Sequence, residues 1–324
     1  MIEPILLIGD IGGTNARFAL ADAQAPGFRA AKTLKCADYP TADAAIRHYL
    51  DDVSAGAPEV ICLAAAGPVV DGDVHFTNNH WSLQASDLLA EFDTDCVRII
   101  NDFDAVARSL PALAEDDCVP IGLPARPDLQ VDEFSLAVIG PGTGLGTAGL
   151  CRRGGLTFPI VGEGGHMGFS PETQLQLDVL TALRARFDRV SAERLVSGPG
   201  LENIYWALAR VHGEKSTALS AEQIFAACQS GDVRATEAVQ LFFETLGQVA
   251  GNLALLFGPA DGVYLAGGIA RRYPQLLENS RFRSGFESKG RHRPHMERIP
   301  TLLVVHPEPG LLGAAMLAGE LLAA

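Results

Sequence analysis

No cysteine in this chain belongs to a Cys-x-x-Cys pair. The six that it has (Cys36, Cys62, Cys96, Cys118, Cys151 and Cys228) are scattered, so neither a structural zinc nor a disulfide framework is expected, and reduced thiols in the cytoplasm fit best. Positive charge is scarce: 25 Lys and Arg stand against 39 Asp and Glu, for a formal net charge of -14. That balance argues against a nucleic-acid or anionic-membrane surface, since both need clustered Lys and Arg. A nucleotide can still bind, through backbone N–H groups rather than net charge. No G-K-[ST] occurs, which excludes a Walker A site. No apolar run approaches a membrane span, because Asn252, Pro259 and Asp261 interrupt the greasiest region. The opening Met1-Ile2-Glu3-Pro4 lacks a basic segment and the run Ile5 to Ile8 is too short for a signal peptide, so a cytoplasmic protein is expected. The one basic region, Ser280 to Arg298, is interleaved with Glu287 and Glu297 and reads as a solvated face.

What is present is an ordinary globular composition: 324 residues, 48% hydrophobic, enough for a large core and by length for two domains. The stretch Val97 to Pro111 anchors the reading. Val97 to Ile100 predicts a short buried strand, and the Ala/Val/Leu spacing after it predicts a helix ending at Pro111. Asn101 and Asp102 stand at the junction. A carboxylate at the carboxyl end of a strand, beside a helix start, projects into the crevice where open α/β sheets bind ligands. Asp102 can therefore take a proton from a substrate hydroxyl; equally, Asn101-Asp102 can simply cap the helix.

Glycine-rich turns lie on either side of that junction. Leu6 to Ile8 predicts a strand, Gly9-Asp10-Ile11-Gly12-Gly13-Thr14-Asn15 a turn, and Ala16 to Leu20 a second strand. The hairpin tip would offer N–H groups, with Thr14 and Asn15 as further donors, to a phosphate. Asp10 suits Mg²⁺ through water, because Mg²⁺ prefers one or two carboxylates plus substrate phosphates. Ser135 to Ile139, Gly140 to Thr147 (holding Gly142, Thr143 and Gly144) and Ala148 to Leu150 repeat the plan, which predicts an internal duplication. The spacing is not G-x-G-x-x-G and no helix pattern follows, so a dinucleotide fold is disfavoured.

Other segments add candidates. Val60 to Ala65 predicts a strand, Asp71-Gly72 a hairpin turn before Val74 to Thr77, and Asn78-Asn79-His80-Trp81 either a sugar contact or a capped turn. In Gly162-Glu163-Gly164-Gly165-His166-Met167-Gly168, glycines keep the backbone compact so that Glu163 and His166 can reach one small polar ligand. Glu-x-x-His can also mark a metal, but no further ligand is spaced nearby. Ser191 is placed to cap a short helix, with Glu193 either a first-turn dipole partner or a ligand contact. Thr236 to Phe257 predicts a long central helix, feeding a strand that ends in Gly267-Gly268. That pair either lets a base or ribose lie against the backbone or is an ordinary strand-to-helix turn.

Taken in order, Gly9 to Asn15, Asn101-Asp102, Gly142 to Gly146, Glu163-Gly164-Gly165-His166, Ser191 to Arg194, Leu265 to Ile269 and Pro309 to Gly313 resemble the bacterial glucokinases over essentially the whole chain. The resemblance implies a duplicated, actin-like ATPase fold of ribonuclease H-like α/β type, with a small domain over 1–111 plus 307–324 and a large domain over 112–306 closing on a cleft. It also implies ATP-dependent phosphorylation of the glucose 6-hydroxyl, with Asp102 as base and Asn101, Glu163, His166 and Glu193 holding the sugar. Gly9, Asp10, Gly12, Gly13, Thr14, Asn15, Gly142, Thr143, Gly144, Gly267 and Gly268 would serve ATP and its Mg²⁺, and a homodimer is implied. Related sugar kinases carry a zinc-binding cysteine cluster after the His, and this chain has none. It departs from the family at Gly168, where many members carry Asp, which bears on the support of His166.

Overall fold

The computed structural model describes residues 4–76, 79–215 and 217–323. Thr77 and Asn78, parts of an expected strand and polar cluster, lie outside them. The chain divides into two units, Met1–Glu115 with His306–Ala324, and Asp116–Val305.

In the first unit β1 (Leu6–Ile11), β2 (Asn15–Ala21) and β3 (Phe28–Lys35) form an antiparallel meander. Next come α1 (Ala42–Asp52), β4 (Val60–Ala65), a small hairpin of β5 (Asp73–His75) and β6 (Ser82–Gln84), α2 (Ala85–Phe92), β7 (Cys96–Asn101) and α3 (Asp102–Ser109). The sheet order is β3-β2-β1-β4-β7, with β1, β4 and β7 parallel. Strand β4 is buried at every residue, as a parallel strand covered on both faces must be. Phe18, Ile46 and Tyr49 build the core on the α1 side. On the other face Ala105 packs with Leu311 and Ala314 of the C-terminal helix. The Asp71-Gly72 turn forms as expected, both residues at positive φ (54° and 88°) between mutually bonded Val70 and Asp73.

The second unit repeats the plan with β8 (Cys118–Pro120), β9 (Phe134–Pro141), β10 (Leu145–Arg153) and β11 (Leu156–Val161). Its helices are α4 (Gln174–Arg184), α5 (Gly198–Val211), α6 (Ala221–Gln229) and α7 (Val233–Phe257). Strand β12 (Val263–Leu265) leads to α8 (Gly268–Arg272), α9 (Pro274–Glu278), α10 (Phe282–Glu287), α11 (Arg293–Met296) and β13 (Thr301–Val304). The helix Pro309–Ala323, α12, completes the first unit. The order β11-β10-β9-β12-β13-β8 again joins an antiparallel meander to parallel strands, β9, β12 and β13, with β8 added at the edge. The duplication expected from two glycine turns therefore extends through both sheets. Helix α7, capped by Asp232 and ended by Gly258 in the left-handed region, is the central packing element, with Phe242, Phe243 and Leu246 buried.

The basic region is largely a solvated face, with Arg281, Arg291, His292, Arg293, His295 and Arg298 exposed, but Arg283 is an exception. Arg283 donates to the carbonyls of Met296, Glu297 and Ile299 and to Thr301 Oγ1, and pairs with Glu287, fastening α10 to the approach to β13. Among the described residues no helix is long and apolar enough to cross a membrane.

Candidate functional site

Strand register sets the first half of the site. Ile11, Ala65 and Asn101 are Cα partners across β1, β4 and β7, so the three strands end level. With parallel neighbours roughly 4.8 Å apart, the end of β7 stands about 10 Å from the end of β1. Asn101 occupies the N-cap of α3: its Oδ1 accepts the Phe103 N–H at 2.8 Å, and its Nδ2 donates to the Gly67 carbonyl, just past β4, at 3.1 Å. The cap expected of this pair is therefore made by Asn101. Asp102, half-buried as the first helical residue, shares the Phe103 N–H at 3.0 Å. Its second oxygen belongs to a carboxylate at a helix N-terminus, where negative charge is favoured.

The first glycine turn is shorter than expected. Gly9 and Asp10 belong to β1, and only Gly12, Gly13 and Thr14 form the turn. Gly9 is a packing residue: a Cβ there would stand 2.8 Å from Leu63 and 3.0 Å from Phe18. The Gly12 N–H closes the turn on the Asn15 carbonyl, the Cys36 N–H donates to the Thr14 carbonyl, and Gly13 and Thr14 are exposed at the tip. Asn79 Nδ2 donates to the Gly12 carbonyl at 3.1 Å, while Asn79 Oδ1 accepts the Trp81 N–H. His80 and Trp81 both donate to the Tyr39 carbonyl. The Asn79-His80-Trp81 cluster is thus a capped turn that steadies the glycine tip.

Asp10 faces Arg17 across the β1–β2 pair at 4.0 Å, and Arg17 Nε contacts Glu308 at 3.2 Å. Burial pushes the Asp10 carboxyl up to about 6; Arg17 opposes this and Glu308 adds to it. A carboxyl whose pKa rises from 3.8 to about 6 on folding favours the folded state fully below pH 3.8, and that contribution is lost as pH rises through about 6. Asp10→Asn is therefore expected to melt above the wild type at pH 8, with the gap closing near pH 4. Calorimetry at both values checks it, and an Asn variant less stable at pH 8 refutes it.

In the second unit, Gly142 to Gly144 connect β9 to β10. The Gly142 N–H donates to the Gly144 carbonyl at 2.8 Å, and the Gly198 N–H at the start of α5 donates to the Gly142 carbonyl at 2.9 Å. Gly267, at φ 89°, backs onto this turn so closely that a Cβ would stand 2.7 Å from the Pro141 carbonyl oxygen. The Gly267-Gly268 step is at once a strand-to-helix turn and part of the same wall.

The glycines around Glu163 and His166 have a packing cause as well. The Gly164 N–H donates to Thr147 Oγ1 at 3.1 Å, and a Cβ on Gly165 would stand 2.1 Å from the Leu145 carbonyl oxygen. The loop thus lies flat on the first residues of β10, leaving Glu163 and His166 exposed with Oε2 and Nε2 at 3.9 Å. That gap is too long for a hydrogen bond, so the two side chains converge while keeping donor and acceptor capacity. Gly168 pairs as backbone with Ser191, and the Ala192 N–H donates to the Met167 carbonyl at 2.8 Å. Ser191 consequently makes no side-chain cap; the pairing instead sets the single turn Ala192–Arg194 so that Glu193 Oε2 accepts the Leu145 N–H at 2.9 Å. Nothing occupies the space where a Gly168 side chain would begin. Glu163, His166 and Glu193 are all held against the start of β10.

Sequence reasoning missed an adjoining cavity of about 570 Å³, lined by Gly142, Thr143, Gly198, Glu202, Phe225, Gly268 and Tyr273 among others. Phe225 and Tyr273 stack in its wall with ring centroids 3.9 Å apart. Ser197, which caps α5 by accepting the Gly200 N–H, and Pro199 in its first turn are the signals that mark this helix start. A helix N-terminus beside a glycine turn and a flat aromatic wall can receive phosphates and a planar ring.

The chain as a whole is similar to known proteins. The family model described as Glucokinase matches residues 7–321. The glucokinase of Caulobacter sp. (strain K31) is 43% identical over 312 residues, 96% of this chain and 94% of that protein. The crystal structure of a glucokinase from an Antarctic psychrotroph superposes with a TM-score of 0.89 at 34% identity, covering 99% of this chain and 100% of that one. A ROK-family glucokinase from Streptomyces griseus, solved in complex with glucose and AMPPNP, shares the fold at a TM-score of 0.65 and 21% identity, over 98% of this chain and 99% of that one. With its duplicated sheets of the actin-like ATPase type, the chain belongs to the glucokinase family.

Proposed function

We propose that this chain transfers the γ-phosphoryl group of ATP to the 6-hydroxyl of D-glucose, giving glucose 6-phosphate and ADP, with Asp102 as general base. The observation that carries the assignment is the division of labour at α3: Asn101 makes the cap, so the adjacent carboxylate is not required for it. Asp102 accepts the O6 proton as the bond from O6 to phosphorus forms and the bond to the leaving ADP oxygen breaks. Asn101, Glu163, His166 and Glu193 hold the sugar, the carboxylates accepting from hydroxyls and His166 donating or accepting by tautomer. Gly12, Gly13 and Thr14 of one turn with Asn15 at the start of β2, Gly142, Thr143 and Gly144 of the other, and Gly267 and Gly268 receive the nucleotide. Gly9 supports the first turn by packing.

Asp10, a half-buried carboxylate with Glu308 close by, fits the one or two carboxylates that Mg²⁺ takes when phosphates complete its shell. The ion supplies neutralisation of phosphate charge. The family resemblance supports a homodimer in the cytoplasm, and six free cysteines fit a reducing compartment.

The test is a coupled assay of ADP formation with Mg·ATP and glucose, mannose, fructose, N-acetylmannosamine or no sugar. Turnover with glucose well above the sugar-free rate and above the other sugars is expected. A sugar-independent rate refutes the reading.

A further inference from the structure

Glu193 is tied to the turn through both its carboxylate and its backbone. Its Oε2 accepts the N–H of Leu145, the residue that follows the turn, and Gly144 leaves it room, since a Cβ there would stand 2.7 Å from that oxygen. The backbone behind the carboxylate is fixed as well: Ser197 Oγ donates to the Glu193 carbonyl at 2.8 Å and accepts the Gly200 N–H at 3.0 Å. The Gly198 N–H then returns to the Gly142 carbonyl at 2.9 Å. The circuit begins and ends on Gly142 to Leu145.

We propose that Glu193 is a positioning residue for the nucleotide turn and, through its other carboxylate oxygen, couples sugar binding to nucleotide binding. This rests on the reading above, in which sugar hydroxyls meet Glu193 and phosphates meet Gly142 to Gly144. Leu145 is buried, so without Glu193 its N–H has lost a charged acceptor in a place water reaches poorly, and the turn relieves the loss by moving. A sugar hydroxyl donating to Oε1 fixes the carboxylate in the orientation that already serves the turn. Less freedom then remains to be lost when phosphates arrive, and each ligand tightens the other by the same factor. The sequence offers Glu193 as a sugar contact but not its bond to the turn, because Glu193 and Leu145 lie in separate segments.

ADP titrated calorimetrically into the full-length protein, without sugar and with saturating glucose, tests the coupling. Glucose is expected to tighten ADP about fivefold in the wild type, and this enhancement disappears in Glu193→Ala. In the absence of sugar, Glu193→Ala binds ADP about tenfold more weakly, the effect of one charge-assisted bond. Glu193→Gln keeps an oxygen for the Leu145 N–H and stays within about twofold of the wild type there. A residue that only held sugar would lower glucose affinity and leave sugar-free ADP binding unchanged. That result, or equal losses of sugar-free ADP binding in Glu193→Gln and Glu193→Ala, overturns the coupling. Sugar-dependent turnover of the wild type is measured alongside: if it is absent, the kinase reading and the coupling fall together, and if it is present with unaltered ADP binding in Glu193→Ala, the coupling alone fails.

Discussion

Asp102→Asn is expected to lower kcat by about 10²–10⁴-fold, the range for loss of a positioned general base, while glucose KM stays within about threefold. The substitution is nearly isosteric. An asparagine oxygen can still accept the Phe103 N–H that Asp102 shares with Asn101, so the start of α3 keeps its geometry. What disappears is the ability to take the O6 proton, since an amide oxygen is too weak a base to hold it. The same change separates the two readings of the junction. If Asp102 served only to cap α3, Asn would do so as well as Asp, because the two are near-equivalent caps, and kcat would hardly move. Steady-state kinetics with glucose and Mg·ATP decides between them, and turnover near the wild-type rate would remove Asp102 from the chemistry.

The parts of this fold that were legible in the sequence are those whose cause is local. Strands β1, β4 and β9 are short apolar runs because both their faces are covered, β7 shows a Val/Ile run of which only Ile99 and Ile100 are buried, and helix α7 shows its apolar face over its whole length. Strands β3 and β11 were not anticipated, for the opposite reason. They lie at sheet edges, their exposed positions outnumber their covered ones, and Pro159 interrupts β11; little burial leaves little pattern. Strand β8 lies in a segment of Asp, Pro and Gly that reads as a connection, and only its pairing with β13 makes it a strand. The site divides in the same way. Turns rich in glycine were visible, but what each glycine is for was not: Gly9 packs under Leu63, Gly165 clears the Leu145 carbonyl, and only Gly12 and Gly13 stand at the first tip. Thr147 under the Glu163 loop, Glu193 on Leu145 and Arg17 on Glu308 join distant segments. No spacing rule contains them, since each exists only after the chain has folded.

Gly313→Ala is expected to lower Tm by about 5 °C and kcat by at least about tenfold, whereas Gly319→Ala on the same helix leaves kcat unchanged and raises Tm slightly. Both residues lie in α12, and inside a helix Ala is favoured over Gly by about 1 kcal/mol. Surroundings decide the sign. At Gly319 nothing stands within 4 Å of an added Cβ, so the helical preference is realised in full. At Gly313 the added Cβ would stand 1.6 Å from the carbonyl oxygen of Ala105 in α3, which is backbone and cannot swing aside. Overpacking of this kind costs about 1–3 kcal/mol, and an overlap this deep belongs at the upper end, leaving a net loss of about 2 kcal/mol. In a unit of this size that corresponds to roughly 5 °C. The loss of rate follows from where the overlap falls. Ala105 lies one turn beyond Asp102 in α3, so a shift that relieves the clash also carries the base, and a displacement near 1 Å can cost about 10² in rate. Thermal melts and kcat measured on both variants check this. If Gly313→Ala melts with Gly319→Ala and turns over normally, α3 is not held at the close approach that positions Asp102.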